Sequence, residues 1–107
     1  MTQPFVTQLR ARPDAIRLAP PGTAAITVRV EMPEVWDTVK VVVSPDQPVS
    51  VLKSAALGAL FLDGIPADFL LKLRGFEVLD ERASLRDTGC VDGSIFLLTH
   101  RRRRAVR

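Results

Sequence analysis

The sequence predicts an α+β domain in which a sheet wraps across a single helix. Two observations carry this prediction. Only one long run, Pro48 to Leu62, has helical spacing, and every other regular run alternates apolar and polar residues as a half-buried strand does. The length of 107 residues then sets the scale: one domain with one core.

The helix is the organising element. Val49, Leu52, Ala56 and Leu60 fall on one stripe, spaced for a core face. Pro48 suits a first helical turn, and Asp46 or Gln47 stands where an N-cap belongs. Asp63-Gly64-Ile65-Pro66 stops the helix, with glycine as terminator and proline beyond it. Opposite the core stripe lie Val51, Ala55, Gly58 and Leu62, while Ser50, Lys53 and Ser54 supply the polar surface. An outer face this apolar calls for a cover: the N-terminal arm, a partner, or a second copy in a weak homodimer.

Residues 1–24 contain four of the eight prolines and read as a largely irregular arm. Phe5, Leu9, Ile16 and Leu18 give it more apolar character than a linker needs. The domain spans 25–100. In its first strand Ile26, Val28 and Val30 face inward; in its second, Val39, Val41 and Val43 do. A turn at 32–35 makes the two a hairpin. After the helix, Leu71 and Leu73 mark a strand that Gly75 turns, and 78–80 reads as a very short strand. Leu85 anchors a turn, and Asp92-Gly93 precedes the last strand. There Phe96 and Leu98 face inward, and Ile95, Leu97 and Thr99 outward. The first and last strands are the most apolar and are expected to be central neighbours. Residues 101–107 form an arginine-rich tail with no apolar pattern.

Charge is divided unevenly along the chain. The net +3 hides +2 in residues 1–24, −4 in 25–100 and +5 in 101–107. The folded part is therefore mildly acidic, and no specific nucleic-acid reader is expected. Arg101, Arg102, Arg103 and Arg104 form an electrostatic tail that adds attraction without geometry. One cysteine excludes an internal disulfide. No run approaches a transmembrane span and no secretory leader is visible, so the expected location is cytoplasmic.

The order of elements resembles that of the ubiquitin-like family. Asp63-Gly64-Ile65-Pro66-Ala67-Asp68 is similar to the family's Glu-Gly-Ile-Pro-Pro-Asp after its helix. Val43-Ser44-Pro45-Asp46 is similar to its Val-Glu-Pro-Ser, and Leu85-Arg86-Asp87 to its Leu-Ser-Asp. From Leu85 to Leu98 the pattern comes still nearer to small bacterial ubiquitin-like proteins encoded with type VII secretion systems. The resemblance covers about residues 25–101. It implies a β-grasp fold with a mixed sheet of four to five strands on one helix. Two departures follow. Conjugated members end in a Gly-Gly pair, which would fall at about Arg104 and Ala105, and no glycine follows Gly93. The family's apolar recognition patch is also altered, because the third strand presents Lys72 and the last presents Leu97 and Thr99.

No constellation for catalysis stands out, and neither enzymatic activity nor a cofactor is expected. Cys90 lacks a nearby base and reads as core. His100 has no metal-binding companions and reads as a solvated strand end. Asp80-Glu81, Asp63 and Asp68 read as solubilising turn residues. The candidate protein-binding residues are Trp36, at the first turn, and Lys72, Arg74, Ile95 and Leu97 on the outer sheet face, with Arg29 and Lys40 completing a basic rim. The expected function is a non-enzymatic interaction module, a bacterial accessory subunit such as one of a secretion apparatus. The rival readings are a modifier or sulfur carrier activated by an adenylating enzyme, and an accessory subunit of a multicomponent enzyme.

Overall fold

The structure is a computed structural model and describes residues 15–101. Strand β2 (Ile26–Met32) and strand β3 (Asp37–Val43) form the expected antiparallel hairpin, pairing Ile26 with Val43 through to Met32 with Asp37. Helix α1 (Val49–Leu60) follows, then β4 (Phe69–Leu73), β5 (Phe76–Glu77) and β6 (Ile95–His100). A further strand, β1 (Ile16–Arg17), precedes them. The sheet order is β1-β3-β2-β6-β4-β5. β2 and β6 are parallel neighbours at its centre, as the apolar content of both anticipates.

Alternation decides the inner face. Val28, Val30, Met32, Val39, Val41, Val43, Phe69, Leu71, Leu73, Phe96 and Leu98 are buried against Val49, Leu52, Ala56 and Leu57 of the helix. Leu85 is fully buried and Cys90 nearly so, closing the core beneath the helix start.

The sheet has six strands rather than four to five, because two-residue strands occupy both edges. At one edge, Arg74 (φ 53°) and Gly75 (φ 86°) form a two-residue loop with both positions left-handed. Such a loop reverses the chain at once, so β5 lies at Phe76–Glu77 and not at 78–80. At the other edge, Ile16–Arg17 runs parallel to β3 beside Val41 and Val42. The Leu18 and Ala19 amides donate to the Val42 carbonyl, and Gln47 Nε2 donates to the Leu18 carbonyl at 2.9 Å. This part of the arm docks on the β3 edge and not on the outer face of the helix.

Both helix ends are made differently from expectation. Pro48 itself is the N-cap residue, and no side chain caps the helix. The carbonyls of Ala83 and Glu81 accept from the Val49 and Ser50 amides instead, satisfying donors that a helix start leaves open. At the other end Gly64 serves close approach and not a left-handed turn. A methyl group there would stand 2.9 Å from Leu57 Cδ1.

Lys53 is buried, contrary to its assignment to the polar surface. It falls one residue after Leu52 and one turn after Val49, so helical spacing places it on the core side.

Candidate protein-binding surface

On the outer face of the sheet, cross-strand register arranges the side chains in rows. One row runs Thr38, Glu31, Leu97, Lys72, Glu77 across five strands. The next runs Lys40, Arg29, Ile95. Ile95 and Leu97 are successive outward residues of β6, so they form the apolar centre. Ile95 is 48% exposed and Leu97 half-buried. Lys72 stands beside Leu97, and Arg29 beside Ile95.

Arg29 and Lys40 are directly opposite one another on β2 and β3. Like charges in that relation repel and destabilise a sheet. No ion pair among the described residues relieves either of them.

Arg74 is not part of this face. It occupies the left-handed loop after β4, and its Nη2 would lie 3.3 Å from a methyl group placed on Gly89. Its guanidinium is thus turned toward the 86–89 turn. Alternation alone would have put it outward, but alternation ends where the strand ends.

Trp36 stands apart, at the tip of the β2–β3 hairpin. It is 86% exposed and left-handed (φ 55°), directly after the 3₁₀ turn Pro33–Val35. A groove lined by Glu31, Met32, Pro33, Asp37 and Thr38 lies beside its ring. Glu34, in the same turn, ties the tip to the end of β6: its Oε2 accepts from Thr99 Oγ1 at 2.7 Å and from the His100 amide at 2.9 Å. Partial burial pushes the Glu34 carboxyl up, but these bonds outweigh it and hold the group below its ordinary value.

Arg101 is anchored rather than part of a free tail. Its amide donates to the Asp68 carbonyl at 2.7 Å, and its guanidinium reaches Glu77 and the Ala67 and Phe69 carbonyls. Arg102, Arg103 and Arg104 lie outside the described residues.

Several further apolar residues are exposed. Phe76 and Leu79 flank a groove between β5 and the 86–88 turn, and Phe61 and Ile65 lie at the helix end with Leu62, which was expected on the outer face of the helix. The misplaced short strand hid the first pair. The helix's other outward residues, Val51 and Ala55, are half-buried.

Of the polar groups weighed for chemistry, Cys90, His100 and Glu81 have structural partners. Cys90 Sγ lies 3.3 Å from the Leu85 carbonyl, inside the core. The exposed His100 ring packs edge-on against Phe69. Glu81 is not a solubilising residue, because it pairs with buried Lys53. Among the described residues no group of three or more His, Cys, Asp or Glu could hold a metal ion, and no helix is long and apolar enough to cross a membrane.

A mixed sheet with parallel centre strands across one helix also describes a set of solved structures. The ubiquitin-like domain of an Arabidopsis thaliana protein superposes with a TM-score of 0.65 at 21% identity, covering 82% of this chain and 90% of that one. The fold is ubiquitin-like. Caldiarchaeum subterraneum ubiquitin gives a TM-score of 0.63 at 18% identity, over 75% of this chain and 98% of that one. The C-terminal ubiquitin-like domain of mouse tubulin-specific chaperone e gives 0.66 at 14% identity, over 81% and 97%. No family model matches the chain, and no curated protein matches it.

Proposed function

We propose that the chain is a non-enzymatic protein-interaction module whose outer sheet face docks a partner with an acidic margin. The observation that carries this reading is the cross-strand pair Arg29 and Lys40, which makes no ion pair among the described residues, beside Ile95 and Leu97. A carboxylate arriving from a partner would relieve the repulsion, while the apolar pair supplies a desolvated centre. The folded body is acidic overall, and Arg29 and Lys40 beside Ile95 form a basic corner of this face, while Glu31 and Glu77 stand in the next row.

The comparisons support a module more than a modifier. Two of the similar solved structures are domains of larger proteins, one from Arabidopsis and one from a mouse chaperone. The positions where a conjugated member would carry its glycine pair hold Arg104 and Ala105. The pattern from Leu85 to Leu98 favours a bacterial accessory subunit, with a secretion apparatus as its setting.

The test uses proteins encoded beside this gene as candidate partners, with affinity measured by calorimetry. Leu97→Arg should weaken binding about tenfold or more, a loss of about 1–2 kcal/mol, without unfolding the domain. Lys72→Glu should slow association and change its salt dependence. If a partner bound both variants like the parent but lost affinity for Val51→Glu, the recognition surface would be the helix side.

A further inference from the structure

The hairpin tip adds features of its own at the margin of the sheet face. A left-handed backbone is uncommon outside Gly, Asn and Asp and disfavours a bulky residue, yet Trp36 holds φ 55° with its ring 86% exposed. Beside the ring lies the groove lined by Glu31, Met32, Pro33, Asp37 and Thr38. Glu34, within the same turn, keeps its negative charge through the bonds from Thr99 and His100. A groove lined by an indole and by carboxylate residues suits a guanidinium, which can stack on a ring and hydrogen-bond to oxygen together.

In the sequence, arginines follow directly after the residues of this corner. β2 and β6 are parallel, so the hairpin tip and the end of β6 lie at the same end of the sheet. Glu34 binds the His100 amide directly. Arg102 follows within two residues, and three extended residues span about 10 Å, roughly the width of two strand spacings. Arg101 is turned the other way, toward Glu77 and the Phe69 carbonyl, and is not available.

We propose that the groove beside Trp36 is a binding site for arginine side chains, and that its occupant is the chain's own Arg102–Arg104 run.

Trp36 is the one tryptophan and the chain has no tyrosine, so intrinsic fluorescence reports on this corner alone. The full-length parent is compared with a full-length variant carrying Arg102→Glu, Arg103→Glu and Arg104→Glu. At low salt the parent should emit at shorter wavelength and resist acrylamide quenching, and both differences should vanish as salt is raised. They should not depend on protein concentration. Glu31→Gln should reduce them, and a tetra-arginine peptide added to the variant should restore protection better than tetra-lysine. Equal emission and quenching in parent and variant at low salt would overturn the proposal. A concentration-dependent difference would assign the run to a second copy and overturn the intramolecular occupant. Equal protection of parent and variant by added tetra-arginine, with no difference before addition, would give the site to a partner's arginines instead.

Discussion

Lys53 Nζ lies 2.7 and 2.8 Å from the two carboxylate oxygens of Glu81, and it donates to the Phe69 carbonyl at 2.9 Å. The lysine is 3% exposed while the Glu81 side chain keeps 23%. The pair joins the helix start to the 80–85 loop, whose carbonyls also cap that helix. Removing one member of a buried pair leaves a charge without compensation, whereas replacing both with apolar groups is often neutral. Glu81→Ala is therefore expected to cost about 3 kcal/mol. Lys53→Met combined with Glu81→Leu should remain close to the parent. Urea unfolding of both variants checks the contrast, and a milder loss for Glu81→Ala than for the double change would contradict it.

Two glycines near the end of the helix should respond in opposite ways to alanine. Gly58 is exposed, helical, and has nothing within 4 Å of an added methyl group. Gly58→Ala should stabilise by up to about 1 kcal/mol. Gly64→Ala should instead cost about 1–3 kcal/mol, because its methyl would meet Leu57, which is buried and cannot give way. Thermal unfolding of the two variants side by side reads both signs.

Glu34 gives a pH prediction. Its carboxyl is held below its ordinary value, so the stability it adds is fully present above the unfolded value near 4.5 and is lost as pH falls through the lower folded value. Glu34→Gln keeps an acceptor but not the charge. The gap between parent and variant should be present at neutral pH and close as the solution is acidified below about 4.5. A gap constant across that range, in urea titrations at several pH values, would show that charge at Glu34 contributes nothing.

The docked arm protects an edge. Without β1, Val41 and Val42 of β3 would present unpaired backbone groups, and unpaired edges recruit other strands. Deleting residues 1–19 should leave a cooperative fold that self-associates with rising concentration. Analytical ultracentrifugation checks this; a variant monomeric at all concentrations would show that the edge needs no cover.

Much of the fold was legible because burial on one side writes a period of two or 3.6 into a chain. Val28, Val30, Val39, Val41, Val43, Phe96 and Leu98 all face the core as their alternation indicates. What periodicity could not show was set by short-range geometry and by distant partners. Lys53 and Glu81 are each polar in isolation and become structural only when the fold brings them together. Arg74 follows a strand pattern but sits where two left-handed residues end it. The two-residue edge strands are too short to show any period. For the surface, Ile95, Leu97 and Lys72 were readable from β6 and β4, since register across a sheet follows once one face is buried. The opposition of Arg29 and Lys40 could be seen only after pairing fixed which residues face each other.

The central place of β6 has a consequence for how the protein is made. On a ribosome the chain emerges from its N-terminus, so the β2–β3 hairpin and the helix are released while the slot beside β2 is still empty. Val30 meets Phe96 only when nearly the whole domain has been synthesised. Until then β2 and β4, which both flank β6, have no common neighbour to hold them. The nascent chain must carry Val28, Val30, Leu71 and Leu73 incompletely covered until β6 has been synthesised, and the domain can close only once that strand has left the ribosome.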